Sequence, residues 1–323
     1  MSKRQFRYLR KKAKRPFSCY IPQCDVARKL LKRIFPNKKT FNSRDSLSIG
    51  VKCIHNYGST TDCHLTINEI DWEDRGRPII YVNDKYLIEM MYKSKLEIVP
   101  ESLHVPFGGL VSFAFPKGTK IDGVEIDGCL FGEMDLEDYR QKCLDELKPY
   151  YGNNVHFENQ DYIKGYRGKS VYLVCMAKHS YVEGMPAQLR IWFKKEDSVN
   201  IVNEGWVENN LVNEELIKDY EFKKQRVMFR LCYALCIYMS TFPDVIKDGF
   251  PEDYSQEKEY RIKCPNPKTL IIHGTLGTHA SPHTHFRRWH FRSLVNEKYK
   301  RNPDGSIRTV FVKASIVNPE KID

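Results

Sequence analysis

No apolar run approaches the roughly 18 residues that a membrane-spanning helix needs. The longest, Val227–Met239, is interrupted by Arg230, so it reads as a buried core helix and no membrane partner is expected. There is no Gly-rich phosphate loop and no G-x-S-x-G, which removes P-loop chemistry and the serine-hydrolase elbow. No internal repeat is present, which removes solenoids and propellers. Met1–Arg15 is basic with no apolar stretch after it, unlike a secretory signal. The ten cysteines are therefore expected to be reduced, buried thiols of a cytoplasmic protein. Acid is scarce at one end only. Residues 1–40 hold 14 Lys/Arg against a single acid, Asp25, while the remaining 283 carry 38 basic and 40 acidic side chains.

What is present is enough to bury a core: 41% of the 323 residues are apolar and 12% aromatic. The reading divides the chain into a basic arm with a short helix (1–40), a body (41–243), a polar linker (244–270) and a His/Arg-rich C-terminal segment (271–323). In the arm, Arg4, Arg7, Arg10, Lys11 and Lys12 alternate with Phe6, Tyr8 and Phe17, a pattern that suits phosphate neutralisation and stacking. Asp25 is placed as the N-cap of a helix over residues 25–35, with Val26, Leu30, Leu31, Ile34 and Phe35 on its apolar side.

Through the body, Ser46–Trp72 reads as short strands around a polar loop, Ile79–Val82 as a strand and Tyr86–Tyr92 as a helix. Leu103–Phe115 reads as a strand kinked at Gly108–Gly109, and Val124–Phe131 as a second strand. The carboxylates Asp122, Glu125, Asp127, Glu133, Asp135, Glu137 and Asp138 crowd here, as a divalent-metal site or as a solvated hairpin and an acidic helix start. Asp135 caps a helix that Pro149 ends. Ser170–His179 and Ala187–Lys194 pair across a turn with Gly184 and Pro186. Asn213 caps a long helix whose second half is apolar nearly all round, and Leu270–His273 adds one more strand. The fold class expected is α+β: a mixed, mostly antiparallel sheet, one long buried helix, a basic N-terminal arm and a C-terminal motif hairpin.

The densest chemistry lies in HASPHTHFRRWHFRSL. His279, His283, His285 and His290 fall within twelve residues, interleaved with Arg287, Arg288 and Arg292 and with Phe286, Trp289 and Phe291. Histidine exchanges protons near neutral pH, arginine grips phosphate through a planar fork, and aromatics offer faces for bases. Arg287, Arg288, Arg292, Trp289 and Phe291 are accordingly candidates for RNA contact. A metal-independent ribonuclease would instead use His285 and His290 as base and acid, with Arg288 on the phosphorus charge. Zinc on the four histidines, with Cys264, fits only loosely and the arginines oppose it; Cys19 and Cys24, with Cys53, Cys63 and His64, are a second loose set. No cofactor and no resident metal is expected. Thr309–Val317 alternates like a strand, with Val310, Val312 and Ile316 apolar.

THFRRWHF, a basic turn and then FVKASIVN resemble the C-terminal signature of a family carried by bacteriophages and plasmids. That signature is a Pro-His-apolar-Arg-Arg-Gly-His-aromatic run before a closing strand, and the family includes the type V-A anti-CRISPR protein that lowers expression of the CRISPR effector nuclease. The matching positions are His285, Arg287, Arg288, His290 and Phe291; Trp289 stands where the family has Gly and Thr284 where it often has Pro. In outline the resemblance runs over residues 100–318, through VPFGGLVSFAF, IDGCLF and the apolar helix before PDVIK. It implies a regulator used by a mobile element in the cytoplasm of a bacterial host. Such a regulator recognises a target host protein, such as a CRISPR effector nuclease, as it is synthesised, and acts through messenger or ribosomal RNA. A ribonuclease acting alone and a stoichiometric inhibitor that never touches nucleic acid are the alternatives.

Overall fold

The runs IIYV and LVSFAF leave no polar face, and both are strands covered on two sides, as such runs are in α/β layers. A computed structural model of the chain describes residues 17–49, 61–151, 171–182, 185–204, 220–251, 267–272, 285–287, 289–313 and 315–317. Among the described residues the main sheet has eight strands. They are β1 (Phe17–Ser18), β2 (Ile79–Val82), β4 (Leu110–Pro116), β7 (Cys129–Asp135), β8 (Val171–Val182), β9 (Met185–Lys194), β10 (Ile246–Asp248) and β11 (Pro267–Leu270). The order is β10-β11-β2-β4-β7-β8-β9, with β1 also on β4; only β11–β2 and β2–β4 are parallel. β3 (Lys95–Glu97) lies outside this sheet, and β5 (Lys120–Ile121) pairs with β6 (Val124–Glu125). The architecture is α+β, as expected.

Alternate residues of β4 and β7 serve two cores. Val111, Phe113, Phe115, Cys129 and Phe131 face one side, and Leu110, Leu130 and Met134 the other. On the second side lie α3 (Thr61–Asp74) and α5 (Leu136–Tyr151), which contribute Ile67, Ile70, Trp72, Tyr139, Cys143 and Leu147. On the first lie α4 (Lys85–Lys93), α6 (Ser198–Glu204) and α7 (Tyr220–Thr241). From Val227 to Met239 every residue of α7 but Arg230 is buried. Two opposed sets of contacts explain this. Phe229 meets Phe131 of the main sheet at 5.7 Å between ring centroids, whereas Tyr238, half a turn round, meets Phe311 of a second sheet at 6.4 Å.

Arg230 is the polar exception on α7. Its guanidinium donates to the carbonyl oxygens of Tyr92 and Ser94, each at 2.9 Å, and of Val202. The first two close the C-terminal end of α4, where the partial negative charge of the helix favours a cation. Burial pulls the guanidinium below its ordinary pKa, and Tyr92 and Asp122 act against that.

Several expectations are corrected. The stretch read as strands between Ser46 and Trp72 is helical where described, at residues 43–49 and in α3. Its period was hidden because Thr66, Asn68 and Glu69 are buried along with Ile67 and Ile70. Asp25 is not an N-cap: it lies inside α1 (Gln23–Val26), which Pro22 precedes, and α2 (Arg28–Ile34) follows. The Gln23 N–H is met instead by Glu69 of α3, at 3.0 Å, a partner that local sequence cannot reveal. On α2 only Leu31 is buried, while Leu30 and Ile34 are exposed. The kinked strand begins at Leu110, after Phe107 and Gly108 turn left-handed. Pro149 lies within α5, which runs on to Tyr151. Residues 246–248 and 267–270, inside the polar segment read as a linker, are strands of the main sheet, and β11 ends at Leu270. The Asn213 cap and the Gly184 turn lie outside the described residues. Asp135 does cap α5, accepting from the N–H groups of Glu137 and Asp138.

Replacing Arg230 with alanine is expected to cost about 2–4 kcal/mol, because it strands the carbonyls of Tyr92, Ser94 and Val202. Urea denaturation of the variant would show the midpoint falling with the slope unchanged.

Candidate nucleic-acid interface

The described parts of the histidine–arginine segment form two antiparallel strand pairs. β12 (His285–Arg287) pairs with β15 (Ser315–Val317), and β13 (His290–Ser293) with β14 (Thr309–Val312). Arg287 faces Ser315 in the first pair and His290 faces Val312 in the second. β13 also pairs in parallel with β3, setting His290 beside Lys95 and Arg292 beside Glu97.

Period-two alternation divides β13 between two tasks. Phe291 is fully buried, its ring 4.7 Å from Phe311, in the core that holds α7. Ser293 is buried too; its hydroxyl accepts from the Val99 N–H at 3.2 Å and pairs with the hydroxyls of Ser102 and Thr309. The intervening positions look outward: Arg292 is exposed and His290 half-buried. On β3, Leu96 is buried between exposed Lys95 and Glu97, so the outer face gathers Lys95, His290 and Arg292 around one acid. A hydrogen bond from Lys95 first, then the charges of Lys95, His290 and Arg292, hold the Glu97 carboxyl below its ordinary pKa. The Lys95–Glu97 pair is 2.9 Å long and open to solvent on both sides, so its contribution to stability is small.

One aromatic assignment changes. Phe291 is corrected: a ring sealed in the core offers no face to a base. Trp289 is half-buried against that core, and its edge meets Tyr86 at 5.9 Å, while its carbonyl accepts from the Lys95 N–H. Tyr86, 56% exposed, is the aromatic that reaches solvent beside the cations. Phe311, not Val310 or Val312, is the buried residue of β14. Sequence reasoning missed Tyr86, Lys95 and Glu97, which come from a distant part of the chain and carry no local motif.

Between β13 and β14 the chain adds Lys298, Lys300, Arg301 and Arg308 against Glu297 and Asp304. Asn302–Gly305 (NPDG) forms a turn, with Gly305 at φ 82° and the Asp304 carboxylate accepting from Ser306. A cleft of about 510 Å³ opens beside it, lined by Glu101, His104, Ser240, Asp304 and Arg308, whose mixed charges do not extend the cationic face.

Arg288 and the arm residues Arg4, Arg7, Arg10, Lys11 and Lys12 lie outside the described residues, as do the side chains of His285 and Arg287. The ribonuclease reading needs His285 and His290 on one scissile bond. Of the two, the described side chain is that of His290, on β13. The carboxylate run after residue 120 is dispersed among partners. Asp122 accepts from Tyr92, Asp127 from Ser18 and Lys224, and Glu133 from Lys195. Among the described residues no group of three or more His, Cys, Asp or Glu side chains is placed to hold a metal ion. Nor, among them, is any helix long and apolar enough to cross a membrane.

No protein-family profile matches this chain, and no curated protein matches it. Among solved structures it is similar to AcrVA2 in a crystal structure, at 11% identity and a TM-score of 0.36 over 91% of this chain and 93% of that one. A superposition that loose carries no argument about this chain.

Ser293→Ala is expected to cost about 1–2 kcal/mol by removing the acceptor of the Val99 N–H. Amide exchange at Val99 should quicken while amides of α7 keep their protection, and hydrogen-exchange mass spectrometry reads both.

Proposed function

We propose that this chain is an anti-CRISPR-like regulator from a mobile genetic element, which recognises a target protein and lowers that protein's expression through RNA. The observation that carries the RNA half is the division of β13, whose outward positions join Lys95 in a cationic face while Phe291 fixes the strand to the core. Cations gathered on one face of a strand pair neutralise phosphates together. The target half rests on the motif resemblance at His285, Arg287, Arg288, His290 and Phe291. A CRISPR effector nuclease, met as its nascent chain emerges, is the target that resemblance suggests.

Lys95 and Arg292 are exposed and His290 half-buried, and none of the three belongs to the core, so their joint replacement by alanine should leave folding intact. Binding of the purified protein to single-stranded RNA should weaken. The slope of log affinity against log salt should become shallower by about 1.4–2, as for two or three lost phosphate contacts. Glu97→Gln should act oppositely and tighten binding, since it removes the acid from the face. In cells, a reporter behind the target coding sequence tests the rest. Its messenger should fall with the wild-type protein and recover with the triple variant. If the messenger is untouched while the target is still disabled, the reading gives way to a protein-binding inhibitor.

A further inference from the structure

A second cationic surface lies on the other side of the main sheet. The short helix α2 is tied down through Leu31 and through α1, whose Gln23 N–H and Cys24 thiol meet Glu69 and Glu73 of α3. α3 packs in the core opposite the one that holds α7 and β13. Arg28, Lys29, Lys32 and Arg33 are all exposed, and residues 28–39 contain six cations and no acid. At 3.6 residues per turn the four helical cations fall within an arc of about 140°, and Leu31 lies about 130° from its middle. They form two rows, 28 with 32 and 29 with 33, each pair about 6 Å apart along the axis. Those two rows make an outward-facing charged surface on a folded helix.

We infer that this face of α2 is a second RNA phosphate-binding surface, so that one chain holds RNA at two places on opposite sides of its main sheet. The inference rests on the RNA reading given above for β13. A lipid surface fits less well. Leu30 and Ile34 are the only exposed large apolar side chains on this seven-residue helix, far less apolar surface than an interfacial helix buries. Two surfaces on opposite sides of the sheet give distinct binding events for short RNA and a joined, tighter one for long RNA.

The test uses the full chain and an unstructured RNA of about ten nucleotides, the scale of a single small binding surface. Titration followed by native mass spectrometry should show two RNAs per wild-type chain. It should show one in R28A/K29A/K32A/R33A and one in K95A/H290A/R292A. With a long RNA, the α2 variant should lose about 2.8 from the salt slope, as for four phosphate contacts on a single strand. A wild-type chain that binds one RNA, with the α2 variant unchanged, overturns this inference and leaves the β13 reading standing. No RNA bound by the wild type overturns both. If the α2 substitutions spare RNA and instead abolish binding to vesicles of anionic lipid, the face belongs to a membrane and the inference is wrong.

Discussion

The fold depends on α7 being covered from two opposite directions. A helix that is apolar all round must be surrounded, and here the main sheet supplies one wall and the C-terminal sheet another. The C-terminal segment therefore completes the core of the body. Phe291 and Phe311 reach into the same cluster as Phe131, Phe229 and Tyr238. Arg230 fits the same logic: a cation in this setting is stable only because it faces the carbonyl end of α4.

That constraint gives the histidine–arginine motif its geometry. In a strand, neighbours point to opposite faces, so the residue between His290 and Arg292 has to be one the core accepts. Phenylalanine at 291 is the hinge between stability and chemistry. Its burial fixes the plane of the strand and so the direction of the charged side chains. β3 adds Lys95 and Glu97 to the outer face from a distant part of the chain, which makes the cationic surface a property of the folded chain.

Much of this was legible in sequence, and the exceptions have physical causes. IIYV, LVSFAF, the hairpin strands read at 170–179 and 187–194 and the apolar helix were readable because each carries a continuous or periodic pattern. α3 was not, because its buried face includes Glu69, which serves as a cap for Gln23 and as an acceptor for Tyr20. A buried carboxylate used as a ligand for another segment breaks the apolar period on which helix recognition relies. Asp25 looked like a cap for the opposite reason: the sequence offers a local candidate, while the structure uses a distant one. In the motif, composition alone made every aromatic a stacking platform. The alternation of HFRS was the available signal that Phe291 faces inward, whereas Tyr86 had none.

The most direct measurement of the central claim is an alanine scan of residues 290–293, read for unfolding free energy and for RNA affinity on the same samples. Phe291→Ala should lose about 3–5 kcal/mol of stability. His290→Ala and Arg292→Ala should change stability by less than about 0.5 kcal/mol, as surface substitutions do, and weaken RNA binding. The contrary result would be a stable Phe291→Ala protein that has lost RNA binding, beside Arg292→Ala with full affinity. That would place the aromatic face, and not the cationic one, against the ligand.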